Sequence, residues 1–228
     1  MMDPVLDAAH RRLLLGGEPH IVHCHHYNTF LQQSILDAEF LDTVPFLIGA
    51  ANEVAFAQMR ALFQATGARD PAARSRLAEQ LYRWAGFGQI DLSALTEAGG
   101  QVQTPCAHYP HAWRVKLGRS QRPVDLFTTG WLAGTLAAIH GLPQGHFTAA
   151  QTQCVAMGAP TNTFVLSAGG PPGYTVFTSP GVGPLTEHHP RSIPETPVDY
   201  DGIFDALTSL ELPIDEDDFI PAFGVYLT

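Results

Sequence analysis

Four side chains able to bind a metal stand in a row at His23, Cys24, His25 and His26. Imidazole and thiolate are the groups that take zinc, iron, copper or nickel near neutral pH. In an extended strand His23 and His25 face one way and Cys24 and His26 the other, so no more than two share an ion unless the chain bends there. A second set, Cys106 and His108, lies two residues apart on one face of an extended segment. Two or three of the early histidines joined by Cys106 or His108 give three protein ligands and an open position, the arrangement of a catalytic metal. Glu53, one of few acids in an apolar stretch, completes a two-histidine, one-carboxylate set of the kind that binds ferrous iron. The implied cofactor is a divalent transition metal, iron or zinc. A plainer reading stands beside each: histidines facing solvent or bonded to backbone, cysteines as small buried hydrophobes, and Glu53 as a helix-surface charge.

The elements that must position these groups follow from periodicity and punctuation. Val5, Leu6, Ala9, Leu13 and Leu14 have helical spacing, which predicts a helix over 4–15 stopped by Gly16 and Gly17. Ile21, Val22 and Tyr27 favour a strand, and Asn28 is a candidate N-cap for a helix over 29–41, so the histidine run falls at a strand-to-helix junction where a bend is expected. Pro45 opens a long, largely buried helix ended by Gly67, and Asp70-Pro71 opens another that ends at Gly86 and Gly88. Alternation on both sides of Gly99 and Gly100 predicts a hairpin there. A short helix over 110–117 comes next. Residues 126–140, apolar nearly all round and rich in small side chains, read as a buried helix at the centre of the core. Residues 146–156 and 161–167 read as two strands joined by a turn at 157–160. Beyond Ser167 the chain turns rich in proline and glycine, with a modest helix expected over 198–210 and an acidic run from Asp215 to Asp218.

Composition closes off several classes. Hydrophobic residues are 45% and charged residues 15% of the 228, enough apolar surface for one folded domain without staples. With 22 acidic against 12 basic side chains, a formal charge of −10, the chain repels phosphate backbones, and no nucleic-acid partner is expected. No apolar run reaches the ~20 residues a bilayer needs, so no membrane partner is expected and the protein is placed in the cytoplasm. Three cysteines cannot build a disulfide framework. Neither a phosphate-binding glycine loop nor a G-x-S-x-G elbow is present.

Three motifs point to a family: Gly86-Phe87-Gly88, the run FTTGWLAG from Phe127 to Gly134, and the run QTQCVAMG from Gln151 to Gly158. In their order the chain resembles the 4-vinyl reductase domain over about residues 45–167. That family includes the ligand-sensing halves of phenol-responsive activators, a protein linked to chlorophyll vinyl reduction, and vesicle-tethering relatives. The resemblance implies an α+β fold with helices packed on an antiparallel sheet, a homodimer, and an internal pocket for small, often aromatic molecules. Residues 1–44 and 168–228 are then an N-terminal extension carrying the His/Cys cluster and a proline-rich C-terminal extension. Tyr27, Tyr109, Trp113, Phe127, Trp131 and Phe164 are the candidate pocket residues, though aromatics fill ordinary cores too. The resemblance also implies a zinc position, of which this chain keeps Cys154 while Gln151, Thr161 or Asn162, and the stretch 125–128 stand where other ligands would be. Amides are weak zinc ligands.

Two readings of function result. One is a metal-dependent enzyme acting on a small, possibly aromatic molecule, its metal held by the His/Cys cluster beside the pocket. The other is a non-catalytic ligand-binding sensor or accessory module. The sequence carries no ATPase segment and no helix-turn-helix reader, so a sensor of this kind signals through another protein. The proline-rich tail also suits a subunit of a larger assembly.

Overall fold

The computed structural model describes residues 5–9, 12–16, 18–38, 41–169 and 223–227. The fold is α+β: five helices packed with two antiparallel sheets. The first sheet has the order β1 (Val5–Asp7), β2 (Arg12–Leu15), β3 (Glu18–Cys24) and β7 (Phe223–Leu227). Helix α1 (His25–Leu36) follows β3 without a loop, then come α2 (Val44–Thr66) and α3 (Pro71–Trp84). The second sheet holds β4 (Gly99–Thr104), β5 (Phe147–Gln153) and β6 (Asn162–Ala168) in the order β4-β6-β5. Helices α4 (His108–Leu117) and α5 (Leu126–His140) lie in sequence between β4 and β5.

Where the sequence carries strong punctuation, the elements form as it dictates. Asp70 caps α3 by accepting from the Ala73 amide at 2.9 Å, with Pro71 in the first turn. Asp125 caps α5 through the Thr128 amide at 3.1 Å. Gly67 and Gly141 end α2 and α5 in the left-handed conformation at φ 68°. Strands β5 and β6 pair antiparallel as expected, with a bulge between Gln151 and Gln153.

Three expectations are corrected. The described residues of 4–15 form strands, not the expected helix: Val5 pairs with Leu14 and Leu6 with Leu13, and β2 then pairs with β3. The apolar residues come as two clusters, Val5-Leu6 and Leu13-Leu15, a pattern that suits two paired strands as well as one helical stripe. The strand expected before Gly99 does not form either, although Thr96 and Gly99 bridge across a two-residue turn. The segment before it is a loop that plugs Leu92 and Leu95 into the core, with the Glu79 carboxylate accepting from the Leu92 amide at 2.8 Å. β4 pairs instead with β6, and an added Cβ at Gly99 would lie 2.2 Å from the Leu166 carbonyl oxygen. Finally, α1 begins at His25, so Asn28 is an interior residue of that helix rather than its cap. The helix expected over 198–210 lies outside the described residues, as does nearly all of the proline-rich extension.

The core is organised by α5, which packs on α2 on one side and on β5 and β6 on the other. Its residues are buried apart from Phe127 and His140, which are half-buried. Met59, Leu62, Leu81, Tyr82, Leu132, Leu136, Phe147 and Phe164 belong to one apolar cluster around it. Contact with α2 is backbone to backbone. A Cβ on Gly130 would stand 2.1 Å from the Ile48 carbonyl oxygen, and one on Gly134 would stand 2.1 Å from that of Asn52. Even one methyl group must force the helices apart. We expect Gly134→Ala to cost about 1–3 kcal/mol, the usual range for overpacking a tight interior. A lowered urea midpoint in equilibrium unfolding is the expected readout, and an unchanged midpoint would contradict the close approach.

Candidate functional site

The histidine run does sit at a strand-to-helix junction, where Cys24 ends β3 and His25 starts α1. There the run splits by exposure. His25 is buried and stacks on His26, with ring centroids 4.3 Å apart, while His26 and Cys24 are exposed. The side chain of His23 lies outside the description. Glu53 is exposed on α2. Cys106 is half-buried and Cys154 fully buried among Trp113, Val124 and Ala156; burial pushes both thiols up from their ordinary range. Among the described residues, no three His, Cys, Asp or Glu side chains gather as a metal ion requires.

His108 has a different setting. The loop Gly86-Phe87-Gly88 pins the start of α4: the His108 amide donates to the Phe87 carbonyl at 3.0 Å and the Gln89 amide to that of Cys106 at 3.3 Å. Only glycine fits at position 88, where a Cβ would meet the Cys106 carbonyl oxygen at 2.2 Å. The anchored ring lies edge-on to Phe87 at 6.0 Å and to Tyr109 at 5.2 Å, and its Nε2 is 3.0 Å from Asn28 Nδ2. The two side chains share a buried hydrogen bond whose direction follows the imidazole tautomer. Asn28 is fully buried, and its Oδ1 has no hydrogen-bond partner among the described residues.

One turn further along α1, on the same face, Gln32 donates to the Val124 carbonyl at 2.8 Å and lines an apolar pocket of about 200 Å³. The pocket lies between Leu31 and Ile35 of α1 and Leu47, Ala50, Ala51 and Val54 of α2, and Tyr109 and Phe127 also line it. Phe127 is stacked on Phe87 at 4.2 Å and tilted toward Tyr109 at 6.0 Å. Of the six aromatic candidates, Tyr109 and Phe127 therefore line this pocket. Trp131 packs against Tyr82 at 4.7 Å within the core, Phe164 is buried beneath the sheet, Trp113 packs near Cys154, and Tyr27 is exposed on α1. In the sequence Gln32 carries no signal of its own and Asn28 reads only as a cap. Their spacing of four would have revealed one face, had the helix been started at His25.

A buried polar network occupies the region where the resemblance implied a zinc position. The Asp125 amide donates to Gln151 Oε1 at 3.0 Å, and Gln151 Nε2 donates to Asn162 Oδ1 at 3.2 Å. Asn162 also accepts from the Val155 amide at 3.0 Å and donates to the Thr104 carbonyl at 3.4 Å. These two amide side chains thus tie together the start of α5, the end of β5 and the start of β6. Tyr82 joins through Thr128, the two oxygens being 2.8 Å apart. Burial raises the Asp125 carboxyl from 3.8 to about 7, against the opposing hydrogen bonds from Thr128. Burial first, and the Asp125 charge second, hold the Tyr82 hydroxyl well above its ordinary value.

No family model matches the chain, and no curated protein matches it. Solved structures do. The phenol-responsive sensory domain of the transcription activator PoxR, with phenol bound, superposes with a TM-score of 0.60 at 13% identity, covering 72% of this chain and 84% of that one. A vinyl-4-reductase family protein from Methanocaldococcus jannaschii gives a TM-score of 0.40 at 14% identity, covering 63% of this chain and 77% of that one. At such identity the first likeness is one of fold.

Asp125 gives this site a pH signature. Its proton is held more tightly in the folded chain than in the unfolded one, so its contribution to stability is full below pH 4 and is lost as pH rises from about 4 through 7. Asp125→Asn keeps the oxygen that caps α5 and removes the titration. Unfolding midpoints from pH 4 to 8 should show the variant gaining on the parent as pH rises, with the gain levelling above about 7. Parallel curves would contradict this.

Proposed function

We propose that the chain is a non-catalytic binding module for a small aromatic molecule, held in the pocket between α1 and α2. The observation that carries this reading is the pocket itself: apolar walls, two aromatic side chains in Tyr109 and Phe127, and one amide in Gln32. Ligand sites commonly combine apolar walls with a few placed polar groups in this way. Size sets the ligand. A dry apolar cavity of ~150 Å³ accepts benzene, so about 200 Å³ suits a single ring with one or two small substituents. The fold shared with a phenol-responsive sensory domain supports the same class of ligand, by analogy alone.

The neighbouring groups suit a ring bearing a hydroxyl or amine. Asn28 Oδ1 is an acceptor whose hydrogen bond is unmade among the described residues, on the same face of α1 as Gln32. Leaving such a group buried without a donor costs ~1–3 kcal/mol. A ligand N–H or O–H that reaches it recovers that cost, and benzene cannot. The module thereby separates phenol-like rings from hydrocarbons of equal size.

Thermal unfolding with phenol tests the proposal. A ligand bound only by the folded chain stabilises it by ~2.7 kcal/mol at a hundredfold excess over Kd, so the midpoint should climb with phenol and climb less with benzene. Ala50→Phe, at an exposed position lining the pocket, fills it without disturbing the core and should abolish the phenol shift. Equal phenol shifts in parent and variant would reject the pocket. Conversion of phenol to a product would replace the binding module with an enzyme.

A further inference from the structure

Only 12 basic side chains stand against 22 acidic ones in this chain. Three of the twelve, Arg60, Arg69 and Arg74, line a single cleft where α2 and α5 end. The cleft encloses about 690 Å³, and among the described residues no Asp or Glu lines it. Small-molecule sites span roughly 300–1,000 Å³. The remaining wall is mixed, with Phe56, Phe63 and Leu142 beside Gln64 and the backbone of the helix ends. This is the reverse of the charge balance of the chain as a whole.

The guanidinium groups are not interchangeable. Arg74 is held in place: its Nε donates to the Ala68 carbonyl at 3.0 Å, its Nη1 to that of Ile139 at 2.8 Å, and its charge lies over the Phe63 ring at 5.3 Å. Its Nη2 has no hydrogen-bond partner among the described residues. Arg60 lies over Phe56 at 5.6 Å. Neither Arg60 nor Arg69 is exposed to an acidic partner in the described ion pairs, and both side chains are open to solvent.

Helix C-termini carry roughly half a negative charge each and oppose an anion. Here the opposition is largely met within the fold. The Gly67 and Ala68 amides donate to the carbonyls of Gln64 and Phe63, and those of Gly141 and Leu142 to Ala138 and Ala137. Arg74 covers Ile139. Three full positive charges then face about one negative charge of dipole origin.

We propose that this cleft binds a small organic oxyanion, a carboxylate or phosphate carried on an apolar body. The body rests on Phe56 and Phe63, and the oxyanion meets Arg60, Arg69 and the free edge of Arg74. A planar fork of N–H donors matches both carboxylate and phosphate, whereas a neutral ring gains only the apolar contact. The site is separate from the aromatic pocket, whose lining shares no residue with it.

The test is an amide NMR titration of the full chain at fixed ionic strength with sodium benzoate, with phenyl phosphate, and with phenol as the uncharged counterpart. Saturable shifts confined to residues 60–74 and 138–143 with either anion are expected, and the tighter binder identifies the oxyanion. Arg60→Ala combined with Arg69→Ala, both exposed, should weaken binding about tenfold or more while leaving the rest of the spectrum in place. Absence of saturable shifts with both anions, or equal affinity in the double variant, overturns the proposal. Phenol reads residues 31–54 in the same experiment, so failure at either site is distinguishable from failure at the other.

Discussion

The backbone contact between α2 and α5 governs where everything else can be. Gly130 faces the turn from Ile48 to Asn52, and Gly134 faces the turn from Asn52 to Phe56, so the two helices climb in the same direction at the closest spacing their backbones allow. Two consequences follow from that parallel alignment. At the N-terminal ends, Phe127 of α5 and Ala50 and Ala51 of α2 are brought to one pocket beneath α1. At the C-terminal ends, the two glycine caps and the arginines around them share one cleft. Side chains at either glycine would push the helices apart and open both sites together.

A second constraint is the polar network at the start of α5. Burying amides and a carboxyl is costly unless their hydrogen bonds are made. Gln151 and Asn162 make theirs with one another and with the main chain, so they lock three elements together without a charged ligand set. Cys154 lies in this region as a packed, fully buried side chain. Asp125 is the strained member, a buried acid whose Oδ2 has no hydrogen-bond partner among the described residues. The same residue caps α5, which sets the position of Phe127 two residues on.

Much of this was legible in the sequence where local chemistry decides. Pro45, Gly67, Asp70-Pro71 and Gly141 punctuate helices for reasons confined to a few neighbouring residues, and α2, α3 and α5 form as those residues indicate. Non-local pairing was not legible. Val5, Leu6, Leu13 and Leu14 satisfy a helical spacing, yet Val5 and Leu6 pair with Leu14 and Leu13, and β2 pairs in turn with β3. Gly99 and Gly100 suggested a turn between two strands, whereas Gly99 lets β4 approach β6 and Gly100 faces the loop at Ala94 and Leu95. At the candidate site, Tyr109 and Phe127 were among the aromatics named, but four others of the same kind lie in core or surface positions that composition cannot distinguish. Asn28 looks like a cap in the sequence, and only the true start of α1 turns it inward toward His108. Histidine contiguity likewise says nothing of direction: His25 and His26 are neighbours with opposite exposure.

A ring seated between α1 and α2 is the claim on which the functional account rests, and a crystal structure of the full chain grown with phenol addresses it directly. The account predicts density for one ring against Tyr109 and Phe127, with its hydroxyl directed toward the face of α1 that carries Asn28 and Gln32. Density for the ring elsewhere, with the space between the two helices closed by its own side chains, would contradict it.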